Sequence, residues 1–148
     1  MYRKVAAALV AVLALGLASC GGSEPELTRA QLVRKVELAC REAQTIAERE
    51  ARTQRARKGE NMAFVAGLLA GQKAVLDRIH NLNAPNSIQS EFDSLKQAMQ
   101  DRIDAVERVA SASRADVQRM IKAVQPQAEA AARRMEAVSN SLGIRGCV

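Results

Sequence analysis

The chain has 148 residues, with 22 Lys and Arg against 16 Asp and Glu, for a formal charge of +6. It contains no Trp, one Tyr and two Phe, too few for the aromatic stacking platforms of sugar sites or single-stranded nucleic-acid grooves. The basic balance is therefore not read as nucleic-acid binding; anionic lipid headgroups or acidic wall polymers are the expected counterparts.

At the N-terminus, basic Arg3-Lys4, the apolar run Val5 to Leu17 and the small residues before Cys20 follow the layout of a secretory signal peptide. The run is too short for a transmembrane helix, which needs about 20 apolar residues. Ordinary cleavage after Ala18, with Gly16 and Ala18 as the small pair, is one alternative. A buried N-terminal helix is another, which Arg3-Lys4 and Gly21-Gly22 fit poorly. Leu17-Ala18-Ser19-Cys20 resembles the lipobox of bacterial lipoproteins. The resemblance implies diacylglycerol in thioether linkage on Cys20, cleavage just before it, and a mature chain held by lipid at the outer face of the cell membrane. Loss of residues 1–19 removes Tyr2, Arg3 and Lys4 but no acid, which lowers the charge from +6 to +4.

Residues 20–27 form a short tether, flexible at Gly21-Gly22 and stiffened by Pro25. The remainder, 28–148, reads as one helical domain. Thr28 and Gln31 have capping-box spacing, with Leu27 and Leu32 placed as a hydrophobic staple. Val33, Val36, Cys40, Ala43 and Ala47 then form one apolar face, and Gly59 ends the helix. The second helix carries Val65, Leu69, Gln72, Leu76 and Ile79, and Asn83-Ala84-Pro85-Asn86 is a turn. The third carries Ile88, Phe92, Leu95, Met99, Ile103 and Val106. Ser111-Ala112-Ser113 is a weaker break, after which Ser113 and Asp116 can start a fourth helix. That helix keeps a heptad from Val117 through Ile121, Val124, Ala128, Ala131, Met135 and Val138 to Leu142. Pro126 should kink it, and Gly143 should stop it.

No segment alternates with period two, so the fold is all-α. The expectation is an antiparallel up-down bundle with helices over about 28–58, 60–82, 86–111 and 114–142. The alternative is three long helices, with the last two continuous.

With Cys20 assigned to lipid, Cys40 and Cys147 are an even pair in an oxidising compartment. One disulfide connectivity is available; two free buried thiols are the competing reading. In a four-helix bundle the tail after Leu142 returns to the first half of helix 1, near Cys40. The lipobox cysteine, Cys40 on the first helix and the terminal Leu142-Gly143-Ile144-Arg145-Gly146-Cys147 together resemble a group of small helical lipoproteins of actinobacteria. This resemblance implies a disulfide-stapled helical domain on a lipid anchor and carries no activity over to any residue.

Catalytic chemistry finds little to work with. His80 stands alone, without the spacing of a metal site, and the carboxylates alternate with arginines as on a solvated face. The expectation is a protein without catalytic residues, metal or cofactor. Two stretches are candidate binding surfaces. Arg49, Arg52, Arg55, Arg57 and Lys58 form a basic cluster, for which favourable charge at a helix C-terminus is the plainer explanation. Met62 to Gly71 is uncharged, with Ala63, Gly67 and Gly71 at spacing four. Such a stripe either packs closely on another helix within the molecule or stays open to a lipid, a partner helix or a second copy. A third basic group, Arg29, Arg34, Lys35, Arg133, Arg134 and Arg145, gathers near the tether, where it could meet anionic lipid.

The expected function is a non-catalytic protein-binding or scaffolding module of the cell envelope. The alternative is a module that binds lipid or anionic polymer.

Overall fold

A helix with one apolar face must bury it against a neighbour, and four such helices on short turns satisfy one another as an up-down bundle. The computed structural model, which describes residues 26–113 and 115–147, has that architecture. Its helices are α1 (Arg29–Lys58), α2 (Glu60–His80), α3 (Gln89–Ser111) and α4 (Val117–Leu142), with a 3₁₀ turn at Asn86–Ile88 and no strand among the described residues. The expected signal segment, Cys20 and all but the last two residues of the expected tether lie outside the described residues.

Local chemistry sets the helix ends. Thr28 Oγ1 accepts from the Gln31 N–H, and Gln31 Oε1 accepts from the Thr28 N–H at 2.8 Å, a complete capping box. Gly59 sits at φ +79°, a conformation that strains any residue with a Cβ, and it alone separates α1 from α2. Ala112 turns extended at the end of α3, so α3 and α4 are separate helices. The fourth helix begins three residues later than expected. The Ser113 hydroxyl donates to Asp116, and the N–H groups of Asp116 and Val117 both bond the Ser113 carbonyl, which makes a turn ahead of the helix. Within α4, Pro126 and Lys122 are both exposed, so water can reach the carbonyl that proline leaves without a donor. Gly143 at φ +81° ends α4, and the Ile144 N–H bonds back to the Ser139 carbonyl.

α1 packs extensively on α2 and α3 on α4, while α2 joins the two pairs; α1 and α4 barely meet. The main core fills the tether half of the bundle, around Leu32, Val36, Ile79, Phe92, Leu95 and Leu142. A smaller core of Ala105, Val109 and Val124 serves the other half. On α2 the buried row is Ala63, Gly67, Gly71, Val75 and Ile79, whereas Val65, Leu69, Gln72 and Leu76 of the expected row are only partly buried. The reason is steric. A Cβ on Gly67 would stand 2.6 Å from the Ala47 carbonyl oxygen and 2.9 Å from the Ala51 methyl; one on Gly71 would stand 3.0 Å from the Ala47 methyl. The two backbones are in contact, and small residues permit it.

Between α1 and α4 the bundle is closed only at its tether end. Cys40 and Cys147 form a disulfide with Cα atoms 5.4 Å apart. The Arg29 guanidinium caps the Ser141 and Leu142 carbonyls, and Glu37 accepts from the Arg145 N–H. The chain's first described residues are fixed at the same end. The Leu27 N–H donates to the Asn83 carbonyl and Glu26 accepts from the Asn86 N–H.

Three measurements test this account. Gly67→Ala improves helix propensity yet should destabilise the protein by about 1–3 kcal/mol through overpacking, and Gly71→Ala by less, as read by urea denaturation. Reduction of the disulfide, which spans 107 positions, should lower stability by roughly 2–5 kcal/mol in a matched denaturation. The third concerns acid. Hydrogen bonds from Lys96 and then Gln89 hold the Asp93 carboxyl below its usual range, and bonds from Gln97 and then Arg134 do the same for Asp101. Depressed folded-state values stabilise the protein above the ordinary carboxylate value near pH 4, and that contribution is lost as pH falls through them. Asp101→Asn should therefore lose less Tm than the wild type on acidification from neutral pH to about pH 3.

Candidate functional site

Because the bundle runs up and down, the turns α1–α2 and α3–α4 lie together at the end opposite the tether. A hollow of about 630 Å³ opens between them, with Arg57, Lys58, Asn61 and Met62 on one side and Ala112, Val117 and Gln118 on the other. Of the five basic residues singled out in the sequence, only Arg57 and Lys58 reach this hollow. Both are exposed, and neither has an ion-pair partner among the described residues. Arg55 is paired with Glu60 at 2.9 Å and Arg52 with Glu48 at 3.8 Å. Arg49 lies further down α1, exposed and outside the hollow. Three basic residues in the last turn of α1 also complement the helix dipole.

The stripe Ala63, Gly67 and Gly71 is buried against α1. It makes the internal helix pair. What α2 does expose is Phe64, 68% accessible and one turn beyond Glu60 at the rim of the hollow. Composition could have drawn attention to it, since it is one of two phenylalanines in the chain and lies inside the uncharged run that was read for its glycines.

Half of the third basic group is engaged within the molecule, and the exposed side chains of Arg34, Lys35 and Arg145 have no ion-pair partner among the described residues. Arg29 caps α4, Arg133 pairs with Glu129 and Arg134 with Asp101. Ion pairs also cross each consecutive helix contact: Glu42–Arg78 and Arg55–Glu60 between α1 and α2, Lys73–Glu107 between α2 and α3, and Asp101–Arg134 between α3 and α4. The arginine–carboxylate interleaving therefore serves helix register as well as solvation.

A second, smaller hollow of about 260 Å³ lies midway along the bundle. All four helices and Gly146-Cys147 of the tail wall it. Arg102 from α3 and Gln72 from α2 reach it, and burial pulls the Arg102 guanidinium down from its usual value. His80 is exposed at the end of α2. Among the described residues no three His, Cys, Asp or Glu side chains are grouped so as to hold a metal ion. Nor is any helix there long and apolar enough to cross a membrane.

No protein-family model, curated protein or solved structure matches this chain.

Proposed function

We propose that this chain is a lipid-anchored, non-catalytic docking module of the cell envelope whose free end receives an acidic protein. The anchor rests on Arg3-Lys4, the apolar run and the lipobox-like Leu17-Ala18-Ser19-Cys20. Lipid on Cys20 would hold the bundle by residues 26–27, at the end where α2 turns into α3. A helix the length of α1 spans about 45 Å, which carries the opposite end clear of the headgroups.

The observation that carries the docking reading is the free-end hollow, with Arg57 and Lys58 unpaired in its wall and Phe64 exposed one helical turn along α2 from Glu60. Arginine and aromatic residues around a concavity are the composition of energetically dominant interface positions. A cationic rim also steers an acidic partner into contact. The membrane-surface alternative would rest on Arg34, Lys35 and Arg145, since Arg29, Arg133 and Arg134 of that group already have partners, and none of the three lines either hollow.

Cross-linking in intact native cells, followed by mass spectrometry, tests the proposal. One recurrent acidic protein should be captured by the wild type and lost from both Arg57→Glu/Lys58→Glu and Phe64→Ala, with Phe64→Ala weakening the purified complex roughly thirtyfold. Links only to itself, or to lipid and wall polymer, would sink the docking reading. An intact mass lacking acyl groups on a chain beginning at Cys20 would sink the anchor.

A further inference from the structure

The mid-bundle hollow follows from the close helix pair. Small residues bring α1 onto α2, so Ala43, Ala47 and Gly71 border the hollow with little side-chain volume to fill it. Because α1 and α4 barely meet, the space stays reachable from that side. Its apolar walls include Val75, Met99 and Met135.

Two polar groups in this hollow lack what their chemistry requires. Arg102 is half-buried and has no hydrogen bond or ion pair among the described residues. The nearby carboxylates on α3 are occupied, Asp101 by Gln97 and Arg134, Asp104 by Gln100, and Glu107 by Lys73. The Gln72 Oε1 is buried and accepts nothing. Turning Arg102 onto Gln72 would supply that oxygen with a donor but leave the guanidinium without a counter-charge. A partly desolvated charge is stabilised by an opposite charge, and a guanidinium matches a carboxylate with two parallel hydrogen bonds.

We propose that this cleft binds a free, short-chain hydroxy fatty acid. Its carboxylate would pair with Arg102, its hydroxyl would donate to Gln72 Oε1, and its alkyl chain would lie against Met99 and Met135. The volume falls below the roughly 300–1,000 Å³ of sites for drug-sized ligands, which limits the chain to a short one. An acyl chain esterified in a membrane lipid lacks the carboxylate that Arg102 requires, so the ligand is the free acid. The site is independent of the free-end hollow and of any partner there.

The test uses the full chain in lipid nanodiscs, titrated calorimetrically with 3-hydroxyoctanoate against empty nanodiscs. Saturable binding of one molecule per chain is expected, with no binding of the methyl ester. Arg102→Met should weaken binding about tenfold or more, as loss of a charged hydrogen-bond partner does. Gln72→Met should erase the preference for 3-hydroxyoctanoate over octanoate while octanoate still binds. The acid–ester comparison needs only the wild type, so it stands even if a variant fails to fold. Absence of saturable binding, equal binding of the ester, or undiminished affinity in folded Arg102→Met would each overturn the proposal.

Discussion

The contact on which the rest of this structure depends is the one between the backbones of α1 and α2. Gly67 and Gly71 have no Cβ, and Ala43, Ala47 and Ala51 present only methyl groups or carbonyls to them. Helix pairs normally stand 8–10 Å apart at a distance set by their side chains; here the glycines remove that spacer. Each glycine lowers intrinsic helix stability by about 1 kcal/mol relative to alanine, and dispersion contacts between the two backbones offset the loss. With the small residues turned to α1, the bulkier Phe64 and Leu68 must point elsewhere. Phe64 ends in solvent and Leu68 at the central hollow.

Close packing on one side leaves the bundle uneven on the other. α2 serves both α1 and α3, while α1 lacks a long seam with α4. What replaces that seam is a set of discrete links at the tether end: the disulfide, the Arg29 cap and the Glu37–Arg145 contact. Hydrophobic burial is distributed the same way, with the large core at the tether end and a small one at the free end. Stability within one fold need not be uniform, and here the fastened end is also the one that holds the first described residues, Glu26 and Leu27.

Much of the fold was legible because its signals are local. The Thr28–Gln31 box, Gly59, Gly143 and the break after Ser111 each depend on residues within a turn of one another, and all appear where the sequence places them. The Cys40–Cys147 pairing was legible by counting, once Cys20 was set aside. The face of α2 was legible in one of two readings. Close packing of Ala63, Gly67 and Gly71 on another helix was one expectation for the stripe and is what α1 provides, while the apolar row pointed elsewhere. Apolar periodicity weighs side-chain size, so it favoured Val65, Leu69 and Leu76, whereas a backbone contact selects the residues with least side chain. Ile121 shows the same limit from the other direction: it keeps the heptad of α4 yet remains 37% exposed, while Val117, Met120 and Val124 around it pack on the smaller core. The basic cluster was legible only as charge. That Arg57 and Lys58 share a hollow with the α3–α4 turn, while Arg49 and Arg52 do not, follows from the chain's return through two further helices.

Gln72 offered a signal that periodicity passed over. A glutamine on an otherwise apolar row sits where burial of an amide without a partner costs free energy, so such a position needs a stated reason. Helix register supplies none, since the ion pairs across the helix interfaces use other residues. Packing supplies none either, since leucine or methionine would fill comparable space without a polar atom. Arg102 poses the same question on α3, where Ala98, Met99, Ile103 and Ala105 around it are buried and apolar. A bundle of this kind could be built with neither residue, because replacing partly buried polar groups by apolar ones of similar shape is often neutral or favourable. Two such groups converging on one cleft are better explained by what they can hold than by what they contribute to the fold.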